Sequence, residues 1–253
     1  MLIVRSEQLA AMRAARLRQH LLADVHQQFG EDCRILGPDA VDKAIALGMT
    51  RAGRHGFLRT AEVRRWVRLM FLLGSCFDED PLLPWAATIL AGARAASPAA
   101  RMHDLYGAAG AFLRDTAGAD GRRYQTALLR IRRTGFDELT RGDPVRTLYR
   151  LYPAYYRSLS QRTLDDTLVR SAARVQAHGL GQEGLSCWLL LTCMAGTHVD
   201  RDPLYAWIAP ALQASAAPGD KARLLHRAVM DHMDRYALFR RPANAAADLR
   251  REA

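Results

Sequence analysis

The residues best suited to chemistry in this chain are two pairs of carboxylates, Asp78 with Asp80 and Asp200 with Asp202, the second pair accompanied by His198. Two aspartates two positions apart in a loop can converge on a common point, which suits a divalent cation or an acid and a base working on one substrate. Each pair also runs into proline, as Asp80-Pro81 and Asp202-Pro203. That dipeptide starts helices: the aspartate caps, and proline takes the first helical position, where its missing N–H costs nothing. Capping accounts for Asp80 and Asp202, and Asp78 and Asp200 are expected to accept hydrogen bonds from loop N–H groups. Where the second pair has His198 the first has Cys76, so the two share no ligand set and no metal site is assigned.

Other reactive side chains are scattered. His226 and His232 lie six apart on one expected helix, about 120° off a common face, unlike the i, i+4 pair of a zinc helix, and read as surface residues. His55-Gly56 and His178-Gly179 each end a helix, where histidine suits the carbonyl-rich terminus and glycine the positive φ. Cys33, Cys76, Cys187 and Cys193 form no CxxC pair, and Cys187 and Cys193 sit about 9 Å apart along one helix, too far for a disulfide. Reduced core thiols imply a cytoplasmic protein. No nucleophile elbow, zinc helix, phosphate loop or dinucleotide fingerprint occurs, so no catalytic residue and no cofactor is assigned. The chain reads as leaning away from an enzyme.

Two groups are candidates for contacting a partner. Tyr149, Tyr152, Tyr155 and Tyr156 crowd around Pro153 with Arg146, Arg150 and Arg157, the residue types that dominate interface hot spots. Arg64, Arg65 and Arg68 form the basic face of a helix. The net charge of +10 invites a polyanion, yet all but two of the 36 cations are arginine, Lys43 and Lys221 being the exceptions. A GC-rich genome gives that skew, and nucleic-acid binding would require Arg64, Arg65, Arg68 and the arginines of 122–133 to share one face.

The elements that carry these residues are helices, since apolar residues recur at a period of 3.6 and strand alternation is nearly absent. The clearest runs from Thr60, with Val63, Trp66, Val67, Met70 and Phe71 on one face, to a stop at Gly74. Helices are expected to start near Ser6, Pro38, Thr60, Pro81 and Ser97, and in the later part to cover 144–158, 161–177, 182–195, 203–214 and 220–237. No stretch of eighteen apolar residues occurs, and the opening apolar run is too short for a signal peptide.

Much of this pattern is written twice. Gly74, Asp78, Asp80, Pro81, Leu82 and Trp85 recur 122 residues on as Gly196, Asp200, Asp202, Pro203, Leu204 and Trp207, six identities in twelve positions. The same shift carries Trp66 onto Trp188, and a shift of 123 carries His55-Gly56 onto His178-Gly179 and Phe29, Arg34 and Asp42 onto Tyr152, Arg157 and Asp165. The expected fold is all-α, two homologous bundles related by internal duplication and a pseudo-twofold axis. Residues 1–115 form the first unit, 116–143 a connector and hinge with a short basic helix, 144–238 the second unit and 239–253 a frayed tail.

The opening helix with Glu7-Gln8, then Gly56-Phe57, Leu69–Gly74, Phe77–Pro81 and Pro84–Ala86, resembles a group of helical proteins from bacterial type VI secretion gene neighbourhoods. The resemblance covers mainly residues 1–90 and brings no catalytic residues. It implies a setting in which the partner is a secreted effector or a spike component. The resulting expectation is a non-enzymatic protein-binding module, an accessory, adaptor or chaperone. The alternatives are an effector or enzyme with an Asp/His site between the repeats, an immunity protein, or a basic nucleic-acid-binding protein.

Overall fold

The computed structural model describes residues 6–92 and 97–237. Among them all regular structure is helical: α1 (Ser6–Gln28), α2 (Gly30–Leu36), α3 (Pro38–Arg54), α4 (Thr60–Leu73), α5 (Pro84–Ala91), α6 (Pro98–Ala117), α7 (Arg122–Arg133), α8 (Phe136–Thr140), α9 (Pro144–Leu151), α10 (Pro153–Ser158), α11 (Gln161–Ala177), α12 (Gly184–Ala195), α13 (Ala209–Gln213) and α14 (Pro218–Ala237). Two 3-10 segments, Phe77–Glu79 and Pro203–Ile208, lie in the loops that carry the aspartates. No helix among the described residues is long and apolar enough to cross a membrane.

Local chemistry sets most boundaries. Ser97 accepts from the Ala100 N–H at 3.2 Å, Ser160 from Thr163 at 3.1 Å and Asp143 from Val145 at 2.7 Å, each capping the helix that follows. α4 starts at Thr60, with the Glu62 carboxylate accepting from the Arg59 N–H at 3.2 Å, and buries Val63, Trp66, Val67, Met70 and Phe71 as its periodicity requires.

Four boundaries differ from the sequence pattern. The helix expected over 203–214 is the 3-10 segment Pro203–Ile208 followed by α13, because Pro210 has no N–H to offer the Ala206 carbonyl and Tyr205 leaves the helical region at φ −120° and ψ 22°. The expected helix over 144–158 is two, α9 and α10, because Pro153 has no N–H and Tyr152 leaves the helical region at φ −134° and ψ 67°. No helix starts at Pro81; α5 begins at Pro84. A helix starting at Pro81 would need the residue-84 N–H to bond the Asp80 carbonyl. Proline cannot supply it, so Leu83 N–H closes a tighter turn on that carbonyl at 2.9 Å. The fourth difference is α2, a short helix between α1 and α3 with no strong signal of its own. Residues 239–253, expected to fray, lie outside the described residues.

The buried apolar residues fall into two cores. The first runs from Leu21 to Ala109 and centres on Trp66, Ile45, Met70 and Leu105; the second runs from Ala127 to Met233 and centres on Trp188, Leu148, Leu189 and Leu225. One leucine of each region is exchanged: Leu204 is buried in the first core and Leu82 in the second. The 3-10 segment Pro203–Ile208 accordingly packs against α3. The segment expected as a hinge is packed too, since Ala127, Ile131 and Leu139 belong to the second core. Its basic helix hides Ala127 and Ile131 one turn apart and leaves its arginines outside.

Candidate functional site

Asp78 sits just after α4, in the 3-10 turn Phe77–Glu79, with its side chain 2% exposed. Oδ1 accepts from both Arg51 Nε at 3.0 Å and Nη2 at 2.7 Å, two donors from the last turn of α3 on one oxygen. Oδ2 lies 2.9 Å from His55 Nε2 at the α3 terminus. Burial alone would raise this carboxyl, but the hydrogen bonds from His55 and Arg51 outweigh it and hold Asp78 below the ordinary carboxylate range. An ionised carboxylate only accepts, so His55 Nε2 carries the hydrogen. The imidazole stacks on Trp66 with centroids 5.1 Å apart, and Gly56 takes φ +78° so that Phe57 N–H can close on the Ala52 carbonyl at 3.0 Å.

The same arrangement recurs around Asp200. Its Oδ2 lies 3.1 Å from both Arg174 Nη2 and His178 Nε2, His178 lies 5.3 Å from Trp188 between centroids, and Gly179 takes φ +63°. Asp78 does take a loop N–H, its own, and beyond the expectation each of Asp78 and Asp200 binds an arginine and a histidine from the end of a preceding helix. Arg51 and Arg174 were not singled out in the sequence. Their signal was present, because the 123-residue shift that pairs the histidines also pairs these arginines.

Asp80 and Asp202 do more than cap. Asp80 Oδ1 accepts from Leu82 N–H at 2.9 Å, while Oδ2 reaches across to Thr197 N–H at 2.8 Å. Asp202 Oδ1 accepts from Leu204 N–H at 2.9 Å and from the Ser75 hydroxyl, and Oδ2 from Ser75 N–H at 2.6 Å. Each aspartate therefore caps its own turn and ties it to the residue after the glycine of the other region. Burial pushes both carboxyls above the ordinary range in spite of these donors. The glycines make room: a Cβ on Gly74 (φ +97°) would meet the Ala195 carbonyl oxygen at 2.6 Å, and one on Gly196 (φ +93°) would meet Asp80 Oδ2 at 2.8 Å.

Chemically these groups hold one another. Among the described residues no group of three or more histidine, cysteine, aspartate or glutamate side chains is placed to hold a metal ion. Burial pushes the Cys76 thiol up to about 11, far from the thiolate a nucleophile needs, and Cys33, Cys187 and Cys193 are buried free thiols. His226 and His232 are not bare surface residues. His226 packs edge-on against Phe136, and His232 stacks on Trp207 at 3.9 Å. Trp85 lies at 6.2 Å from Phe112 between centroids.

The candidate partner-binding residues divide. Tyr149 is 50% exposed, and Tyr156, half-buried, meets it edge-on at 5.3 Å. Tyr152 and Tyr155 are buried in the second core, because the break at Pro153 turns both inward. Arg64 is exposed, Arg65 lies over the Tyr106 ring, and Arg68 is buried in an ion pair with Asp24 at 2.8 Å. Arg68, Tyr152 and Tyr155 thus leave the set of surface residues.

A cleft of about 590 Å³ opens between the end of α6, the outer face of α7 and α10. Its lining includes Asp115, Arg122, Arg123, Thr126, Arg130 and Arg157, with Tyr152, Pro153 and Ala154 as an apolar wall.

Comparison of the chain with protein-family models, curated proteins and solved structures finds no match, so residues and geometry carry the functional argument.

Proposed function

We propose that this protein is a non-enzymatic helical module that holds another protein, built as two copies of one unit spanning 1–115 and 144–238. The observation that carries the reading is that every carboxylate of the repeated motif is engaged inside the chain, Asp78 and Asp200 by arginine and histidine, Asp80 and Asp202 by backbone N–H groups of the other region. A hydrolytic or metal-dependent site needs at least one such group turned towards a substrate or metal, and these carboxylates are turned towards the chain's own donors. The paired geometry at Arg51, His55, Asp78 and Arg174, His178, Asp200 supports the duplication. What differs between the copies is the surface, where the exposed Tyr149 and the half-buried Tyr156 form an aromatic pair beside Arg150, itself paired with Glu138.

The likeness of residues 1–90 to helical proteins of type VI secretion neighbourhoods suggests the partner: a secreted effector or spike component, with this chain as its cytoplasmic adaptor or chaperone. The test is capture of partners on the tagged protein from its own host, with mass spectrometry of what stays at moderate salt. One stoichiometric effector or spike protein, lost on Tyr149→Ala with Tyr156→Ala, is the expected result. Failure to retain any product of the neighbouring genes would remove the proposal. The competing enzyme reading requires Asp78→Ala to abolish an activity without loss of fold.

A further inference from the structure

We propose that the cleft between α6, α7 and α10 is a binding site for a phosphoryl anion, a diphosphate or a phosphate ester. Arg122, Thr126 and Arg130 stand one turn apart on the outer face of α7, Arg123 flanks them, and Arg157 comes from α10 on the opposite wall. Four guanidiniums meet one lining carboxylate, Asp115, and Asp120 pairs with Arg122 at 3.0 Å at the rim. Two positive charges therefore remain. Arg123, Arg130 and Arg157 make no ion pair among the described residues; Arg123 donates instead to the Asp115 backbone carbonyl at 2.9 Å, which leaves Arg130 and Arg157, from different elements, converging on one void.

That geometry favours phosphate over a carboxylate side chain. A carboxylate is planar and is satisfied by the fork of a single guanidinium, whereas a phosphoryl group offers oxygens in several directions and carries about −1.5 to −2 at neutral pH. The volume of about 590 Å³ lies within the range of small-molecule sites, and the wall of Tyr152, Pro153 and Ala154 leaves apolar room beside the charges.

At the shift of 123, Arg157 corresponds to Arg34 and Ala154 to Glu31. Arg34 is held by the Glu31 carboxylate at 2.9 Å and 3.0 Å. The second region has alanine where that carboxylate stood and keeps the arginine. This site is separate from the protein-holding reading and stands or falls without it.

The test is calorimetric titration of the full chain with inorganic pyrophosphate and with ADP, at fixed moderate salt. Binding tighter than about 1 mM is expected, weakened at least roughly tenfold by Arg130→Ala with Arg157→Ala and unchanged by Arg170→Ala, an exposed arginine on α11. Ala154→Glu, which restores the partner that Arg34 has, should weaken binding while leaving every arginine of the cleft in place. ADP binding more tightly than pyrophosphate would place a nucleoside on the apolar wall; equal affinities would make the phosphate chain the whole determinant. The proposal is overturned if neither probe binds, if Arg170→Ala weakens binding as much as the paired variant, or if a glutamate-rich peptide binds as tightly as pyrophosphate.

Discussion

At the scale of single residues, the two kinds of aspartate should respond to pH with opposite signs. Asp78 is held below its ordinary value, so its folded state prefers the ionised form; its contribution is present above about pH 4 and is lost as pH falls through the folded pKa. Asp202 is held above its ordinary value by burial, so its contribution is complete below about pH 4 and is lost as pH rises through its folded pKa. The cost of Asp78→Asn should therefore grow as pH rises towards about 4 and then level off, and that of Asp202→Asn should be level below about pH 4 and shrink as pH rises above it. Urea denaturation at several pH values reads both; two slopes of the same sign would refute the assignment. The sequence showed which aspartates recur and that Asp80 and Asp202 precede proline. It did not show that Asp78 faces Arg51, because an ion pair between residues 27 apart leaves no local periodicity. Only the match of Arg51 with Arg174 at the 123-residue shift carries that information.

At the scale of elements, helix interiors were legible and their junctions less so. α4 and α6 follow from an apolar stripe bounded by Thr60 or Ser97 and a glycine, all local signals. The start of α5 and the break before α10 depend on a proline removing one specific N–H, and α2 is too short to show a period. The glycines at the junctions give a prediction. Gly74→Ala places a methyl carbon 2.6 Å from the Ala195 carbonyl oxygen at φ +97°, and should lower stability by about 2 kcal/mol or more. Gly107→Ala, on α6 with nothing within 4 Å of the new carbon, should raise it by about 0.5–1 kcal/mol. Thermal denaturation of the two variants should move in opposite directions. A neutral Gly74→Ala would mean that the loops after α4 and α12 are not packed as described.

At the scale of the whole molecule, the two cores are not independent. Leu82 lies in the second core and Leu204 in the first, each carried across by a turn whose aspartate bonds the opposite loop. Deleting such a leucine removes packing from the core opposite to its own region, with a cost of about 2–5 kcal/mol for a buried Leu→Ala. Because Asp202 links Leu204 to Ser75, the loss also loosens the loop that follows α4. Two domains joined only by a flexible segment would melt separately, and a core substitution would shift one transition alone. Here α7 and α8 pack in the second core and leucines are exchanged, so the chain should melt in one transition. Leu204→Ala and Leu82→Ala should each displace the whole of it. Scanning calorimetry decides the matter: agreement of calorimetric and van't Hoff enthalpies in both variants supports a single cooperative unit. A split transition in which Leu204→Ala leaves the melting of the second core in place would show that the exchange does not couple the two regions.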